Sequence, residues 1–246
     1  MIITFLGTKG GTGTTTMAVN CAAEIHRLCQ RATVVIDAKQ GPGDVAVFLG
    51  LRPRHSIVEL IDQVGWSDRA LARRYVAEHH SGLHVLPASE GFGRPNSRDA
   101  AGVEQSLACF SSMYDFVVVD AGSTLSSSAV TALTAADTVV LVANPDLPCL
   151  RNLQRLTDAL RRSGVAPERV RVLLNRASDN GVMPVSQVEK VLGRVIDFHV
   201  PSDYRTVAAA INTGVPVWAL RQSDLHLQLE IMSRVLIGPH AAAAAS

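Results

Sequence analysis

A glycine-rich stretch near the start of the chain constrains the fold most. Residues 7–16 read Gly-Thr-Lys-Gly-Gly-Thr-Gly-Thr-Thr-Thr. They follow a short apolar run at 2–6, which predicts a buried strand, and precede residues 17–28, whose apolar spacing predicts a helix. In that context backbone N–H groups curl around an anion at a helix N-terminus. The stretch therefore predicts a phosphate-binding loop, with a glycine-rich turn that holds no ligand as the alternative.

The loop departs from the usual phosphate-loop sequence at one position. That sequence ends Gly-Lys-[Ser/Thr], and its lysine reaches the β- and γ-phosphates. Here Gly13 is followed by Thr14, while a different lysine, Lys9, stands before the double glycine. Thr15 keeps the position from which a hydroxyl reaches Mg²⁺. We therefore expect a loop that still cradles phosphate but lacks one of its usual cations.

Composition favours a cytoplasmic protein with an aliphatic core. Hydrophobic residues make up 47% of the 246 residues and aromatic residues only 4%, which suits a parallel sheet buried on both faces. The net charge of +1 provides no global field toward nucleic acid or an anionic membrane. We find no apolar run of membrane-spanning length, no signal-peptide pattern, and no metal or redox spacing among the cysteines.

The rest of the chain alternates predicted strands and helices. Strands are predicted at 33–36, 83–86, 116–120, 138–143, 170–174 and 195–200. Helices are predicted at 43–51, 55–61, 68–78, 100–113, 150–162, 184–192, 204–212 and 222–237, with a surface loop at 87–98. The pattern predicts an α/β fold of the P-loop NTPase type, a mostly parallel twisted sheet with helices on both faces. We expect a single domain over residues 1–240 and a disordered tail at 241–246.

Two predicted strands end in an acidic residue. The second strand is followed by Asp37 and Lys39, and the run at 116–119 closes with Asp120. Ligands of open α/β sheets lie beyond the carboxyl ends of the strands, so these side chains should face the phosphate loop. Asp120 resembles the Walker B acid that binds Mg²⁺ through water. The alternative is a strand that happens to end in aspartate.

The loop motif resembles a known superfamily. Lys-Gly-Gly-x-Gly-x-Thr-Thr, beginning at Lys9, is similar to the deviant Walker A loop of the MinD/ParA superfamily of P-loop ATPases. Residues 40–51, 55–60 and 141–152 resemble the CpaE/TadZ branch, which serves Flp/Tad (type IV-like) pili. The resemblance runs from about residue 2 to 237. Because members of that branch commonly carry an N-terminal receiver-like domain, we expect either an excised ATPase domain or a short member.

The resemblance implies ATP and Mg²⁺ as ligands and assigns the site residues. The implied metal-binding residues are Thr15, Asp37 and Asp120, and the implied catalytic residues are Lys9, Asp37 and Lys39. The implied nucleotide-binding residues are Lys9, Gly10, Gly11, Thr12, Gly13, Thr14, Thr15, Thr16, Asn175, Arg176, Pro201 and Asp203. In the superfamily Lys9 would cross a dimer interface to the partner's nucleotide, and Asn175 would contact adenine.

Lys39 is the second departure from the superfamily pattern. The superfamily has there an aspartate that positions the attacking water, and a charged lysine cannot accept a proton. With Thr14 in place of the phosphate-loop lysine, hydrolysis is predicted to be weak or absent. Lys39 either replaces part of the missing charge at the phosphates or points to solvent, and the sequence leaves both open.

The resemblance implies a dimeric localisation or assembly factor for Flp/Tad pili. Alternatives are a slow ATPase that cycles between monomer and dimer for spatial positioning, and a nucleotide-free scaffold. We expect a homodimer that contacts pilus assembly proteins in the cytoplasm, with a cell pole as its place of action. DNA binding is not expected because the basic residues form no concentrated patch. Peripheral membrane association is expected only through partners.

Overall fold

The structure is a computed structural model that describes residues 1–39, 41–63, 69–89, 99–178, 181 and 183–238. The strands are β1 (Ile2–Gly7), β2 (Thr33–Asp37), β3 (Ala77–Glu78), β4 (His84–Leu86), β5 (Phe116–Asp120), β6 (Thr138–Ala143), β7 (Val170–Ala177) and β8 (Phe198–Pro201). The helices are α1 (Thr14–Cys29), α2 (Val45–Phe48), α3 (Ile57–Gln63), α4 (Arg69–Arg73), α5 (Asp99–Ser111), α6 (Ser127–Ala135), α7 (Leu147–Arg162), α8 (Val185–Leu192), α9 (Tyr204–Thr213) and α10 (Asp224–Ile237). Short 3₁₀ turns lie at Pro167–Arg169 and Val217–Ala219.

One sheet runs through the molecule in the order β3-β4-β2-β5-β1-β6-β7-β8. Neighbouring strands are parallel except β3, which pairs antiparallel with β4. The predicted α/β class and mostly parallel sheet are confirmed. Because β1, β2 and β5 are adjacent, the segments that follow them meet at one edge of the sheet.

The centre of the sheet is buried on both faces. Every residue of β5 is inaccessible or nearly so. Val118 packs into the cluster formed with α1 and α10, whereas Val117 and Val119 pack into the cluster formed with α5. This two-sided burial explains why the strand reads as a continuous apolar run rather than an alternating one.

The structure corrects one predicted helix and adds another. The helix predicted over 68–78 is wrong at its end, where residues 77 and 78 pair with β4 instead of continuing a helix. Helix α6 was not predicted, because its small residues give a weak amphipathic signal; Ser126 caps it by accepting a hydrogen bond from the N–H of Ala129 at 3.1 Å. The tail predicted at 241–246 and most of the loop predicted at 87–98 lie outside the described residues.

Within the part of the chain that the structure describes, no helix is long and apolar enough to cross a bilayer. The cysteines at 21, 29, 109 and 149 are free thiols.

Candidate functional site

A cavity of about 510 Å³ opens where β1, β2 and β5 end. It is lined by Lys9, Gly10, Gly11, Gly13, Thr14, Thr15, Thr16, Lys39, Asp44, Phe48, Ala121, Gly122, Ser123, Thr124 and Ser126. The segments after three different strands therefore converge on the start of α1, as the position of ligands in parallel α/β sheets predicts.

The phosphate loop is held in a conformation that glycine makes accessible. Gly11 and Gly13 have φ angles of +79° and +88°, in the left-handed region. A Cβ at Gly13 would also overlap the side-chain amide of Asn175. Gly13 caps α1 without a side chain, so the free N–H groups of the first helical turn remain available to an anion in the cavity.

Thr14 occupies the position of the usual phosphate-loop lysine and has a structural contact there. Its hydroxyl lies 3.2 Å from that of Thr12, which donates to the carbonyl oxygen of Lys9 at 3.0 Å. Both threonines are buried, at 6% and 1% exposure. The two hydroxyls support the loop from within and add no cation to the cavity.

Thr15 and Asp120 meet as the sequence predicts for a magnesium site. The Thr15 hydroxyl donates to Asp120 Oδ2 at 2.6 Å, and the other Asp120 oxygen accepts from the N–H of Gly122 at 3.0 Å. A threonine hydroxyl and a carboxylate, both oxygen donors, fit Mg²⁺. When Mg²⁺ is bound, it would neutralise charge on the phosphates, with this pair holding it.

Asp37 lies beside Asp120, its register partner on the neighbouring strand, and is fully buried. Its carboxylate accepts from the N–H groups of Asp44 at 3.0 Å and Val45 at 3.2 Å, so it fixes the loop that follows β2. Burial and the charge of Asp120 raise the pKa of Asp37 to about 7, against these backbone hydrogen bonds. Asp37 therefore lies behind the wall of the cavity and not among its lining residues, and its oxygens hold the backbone of the loop.

Lys39 lines the cavity, and its ammonium pairs with the carboxylate of Asp44. Burial lowers the pKa of Lys39, but the hydrogen bond and charge of Asp44 outweigh burial and leave it raised. Sequence reasoning missed Asp44 as a site residue. Its position just before α2 was the available signal, since aspartate is common at helix N-termini.

Lys9 folds back onto its own chain. Its Nζ lies 3.0 and 3.2 Å from the two carboxylate oxygens of Asp146, and both side chains are more than a third exposed. Asp146 also caps α7 by accepting from the N–H of Cys149 at 2.9 Å. The lysine is thus placed at the mouth of the cavity by a residue that sequence reasoning left unassigned.

A second cavity of about 320 Å³ adjoins the first. Both are lined by Gly13 and Thr16, and the second is also lined by Asn175, Arg176, Pro201, Ser202, Asp203 and Tyr204. The two cavities share a wall of the phosphate loop, so a ligand with a phosphate end and a planar end can span both.

Asn175 and Asp203 line the second cavity and also hydrogen-bond to backbone groups outside it. The Asn175 amide donates to the carbonyl oxygen of Thr12 at 2.7 Å, tying β7 to the phosphate loop. Asp203 caps α9 by accepting from the N–H of Thr206 at 3.0 Å, and hydrogen bonding from Thr206 lowers the pKa of Asp203. Arg176 has a φ of +57°, rare for a side chain of its size, and such outliers cluster at ligand sites.

Comparisons with known proteins agree with this geometry. A family model described as "AAA domain" matches residues 1–164. The septum site-determining protein MinD of Thermotoga maritima is 24% identical over 248 residues, covering 96% of this chain and 88% of that protein. The antiactivator FleN of Pseudomonas aeruginosa is 28% identical over 201 residues, covering 80% of this chain and 69% of FleN.

Two solved structures share the fold across nearly the whole chain. A ParA family ATPase from Chlorobium tepidum TLS superimposes with a TM-score of 0.83 at 22% identity, covering 94% of this chain and 96% of that one. MinD from Pyrococcus horikoshii OT3, solved with Mg-ADP, gives 0.80 at 18% identity, covering 100% and 99%. With the AAA domain match and the phosphate loop described above, the chain belongs to the MinD/ParA superfamily of P-loop ATPases.

Proposed function

We propose that this protein binds Mg·ATP in the two adjoining cavities, dimerises around it and hydrolyses it weakly or not at all. The observation that carries the proposal is the combination of an intact phosphate cradle with an altered catalytic loop. The loop glycines and the Thr15–Asp120 pair are in place, whereas Thr14 faces inward and Lys39 stands where a water-orienting carboxylate would be.

The altered residues should affect ATP hydrolysis much more than ATP binding. Backbone N–H groups and a helix N-terminus supply much of phosphate recognition, and both are present. Removing one preorganised charge donor from a transition state costs about 3 kcal/mol, or roughly a hundredfold in rate. We therefore expect ATP to act mainly as a structural ligand that sets the state of the protein.

As a biological role we propose a localisation or assembly factor for Flp/Tad pili, in the CpaE/TadZ branch, acting from the cytoplasm at a cell pole. The support is the resemblance at residues 40–51, 55–60 and 141–152. Relatives are named as a septum site-determining protein and an antiactivator, and the MinC:MinD cell division complex of Aquifex aeolicus shows such a relative together with a protein partner. The corresponding partners here would be pilus assembly proteins. Misplaced or missing pili in a deletion strain would support this role, and unchanged pili would contradict it.

The biochemical test is a Mg·ATP titration by calorimetry, with light scattering and phosphate release on the same samples. Thr15→Val should weaken Mg²⁺-dependent binding about tenfold because a hydroxyl ligand is lost. Thr134→Val is the matched control, since Thr134 is exposed on α6 and its hydroxyl donates to carbonyl oxygens of that helix.

Each outcome of that test selects one candidate. Tight binding and dimerisation with negligible phosphate release support the proposal. Phosphate release that rises with protein concentration would favour a slow ATPase that cycles between monomer and dimer. A protein that is dimeric and binds no nucleotide would be a scaffold that has kept only the fold.

A further inference from the structure

A cluster of polar side chains lies where α10 packs against α1, the helix that begins at the phosphate loop. Glu24 comes from α1, and His226 and Glu230 come from successive turns of α10. Their side chains are 1%, 12% and 26% exposed. A buried carboxylate beside an imidazole needs partners that satisfy both groups.

Two atoms of this cluster lack such partners. Glu24 Oε1 and His226 Nε2 lie 3.0 Å apart, yet neither has a hydrogen-bond partner among the described residues. The two atoms are in ion-pair contact, but they lack the alignment of a hydrogen bond. Unsatisfied buried polar atoms in native proteins require an explanation such as an ion or a water.

The three side chains lie close enough together to converge on one metal ion. Glu230 Oε2 lies 3.9 Å from His226 Nε2, and one ligand atom from each of the three residues can be chosen within 4.8 Å of the others. Zinc bonds to nitrogen and oxygen are about 2.0–2.2 Å, which puts neighbouring ligands of a tetrahedral ion about 3.3 Å apart. We propose that Glu24, His226 and Glu230 bind a Zn²⁺-type transition-metal ion that joins α10 to the phosphate-loop helix.

Arg27 orients the carboxylates from the opposite side. Its Nε donates to Glu24 Oε2 at 2.8 Å and its terminal nitrogen to Glu230 Oε2 at 2.8 Å, which leaves Glu24 Oε1 turned toward His226. Arg234 holds Glu230 Oε1 at 2.9 Å. Contacts of this kind fix ligands around a metal, although the two guanidinium groups also weaken attraction for a cation. We therefore expect weaker binding than at zinc sites built from thiolates.

The ligand types favour zinc over magnesium. A neutral imidazole suits zinc and its transition-metal neighbours, whereas Mg²⁺ prefers oxygen alone.

The test is a titration of EDTA-stripped, full-length protein with ZnCl₂ by calorimetry, without nucleotide and with excess Mg²⁺ to compete at Thr15 and Asp120. We expect one zinc per chain and a higher melting temperature. His226→Gln should weaken zinc binding at least tenfold, because loss of a ligand removes one of three protein bonds. His199→Gln, at an exposed position on β8, is the matched control and should bind as the unaltered protein does.

A spectroscopic measurement detects the metal ligands directly and does not depend on the melting temperature. Co²⁺ in place of zinc should give a visible absorption band that His226→Gln loses and His199→Gln keeps. If circular dichroism shows His226→Gln unfolded, Glu230→Gln takes its place. Absence of zinc binding, or equal binding by the ligand and control variants, overturns the proposal and leaves the cluster an ion-pair network.

Discussion

At the scale of single residues, the phosphate loop contains glycines with different structural demands. Gly13 has a positive φ and no room for a Cβ, Gly11 has a positive φ with open space, and Gly10 has open space without a positive φ. The series therefore separates backbone strain from steric overlap within one loop.

We predict a graded response to alanine in that series. Gly10→Ala should leave the stability of the protein unchanged, because its Cβ meets no neighbouring atom. Gly11→Ala should cost about 1–2 kcal/mol for a left-handed alanine. Gly13→Ala should be the most damaging, because overlap with Asn175 adds about 1–3 kcal/mol and displaces the loop. Urea denaturation and ATP titration measure both effects, and equal behaviour of Gly10→Ala and Gly13→Ala would contradict the prediction.

Some site residues could be predicted from the sequence and others could not. Thr15 and Asp120 follow from motif and strand end, and the structure brings them together. Asp44 and Asp146 escaped prediction because each reaches the site through the start of a helix whose position depends on packing. Their partners Lys39 and Lys9 are assigned by motif. Lys9 and Asp146 are 137 positions apart, and Lys39 and Asp44 share neither a helix nor a strand, so neither ion pair leaves a periodic pattern in the sequence.

At the scale of elements, the caps explain several boundaries. Helix α7 begins at Leu147, before the predicted start at 150, because Asp146 accepts from the N–H of Cys149. The short strand β3 lies where the sequence predicts the end of a helix, because residues 77 and 78 pair antiparallel with β4. Both boundaries depend on contacts that hydrophobic periodicity does not report.

The β3–β4 hairpin contains a buried histidine that predicts a pH dependence. His79 is 2% exposed; its Nε2 lies 2.9 Å from the carbonyl oxygen of Gly214, while its Nδ1 accepts from the N–H of Ser81 at 3.2 Å. Burial lowers the pKa of His79 below its ordinary 6.5, against the hydrogen bond to Gly214. The native state therefore favours neutral imidazole, whereas the unfolded chain takes up the proton more readily.

We predict that the free energy of unfolding falls as the pH falls below 6.5. The contribution of His79 is fully present above the unfolded pKa and is lost as the pH falls through the lower folded pKa. His79→Gln, which keeps a donor for Gly214, should flatten this dependence, and His199→Gln should not. Urea titrations over a pH series measure it, and parallel curves for both variants would count against the prediction.

At the scale of the whole molecule, the fold was predictable because its signals are long and consistent. Buried apolar runs alternating with helices predict a parallel sheet, and the glycine-rich loop fixes which strand begins the site. Whether two copies meet over the loop is a property of the assembly and stays a prediction. That prediction depends on Lys9.

We predict that Lys9→Ala abolishes Mg·ATP-driven dimerisation while its melting temperature stays close to that of the unaltered protein. Both side chains of the ion pair with Asp146 are more than a third exposed, and exposed pairs contribute little to stability. In the proposed dimer the Lys9 ammonium contacts the nucleotide bound to the partner subunit, and the alanine variant lacks that contact. Light scattering with Mg·ATP measures the mass, and Lys190→Ala on α8 is the control. A dimer formed equally well by Lys9→Ala would place the interface elsewhere.

The exposure of the Lys9–Asp146 pair also bears on kinetics. Side chains open to water change rotamer within picoseconds to nanoseconds, much faster than two protein molecules find each other. Because Asp146 keeps its bond to the Cys149 N–H when the lysine leaves, α7 need not unwind. Release of Lys9 from Asp146 should therefore not limit the rate of dimerisation. The association rate constant should depend on how often two nucleotide-bound molecules collide in the correct orientation.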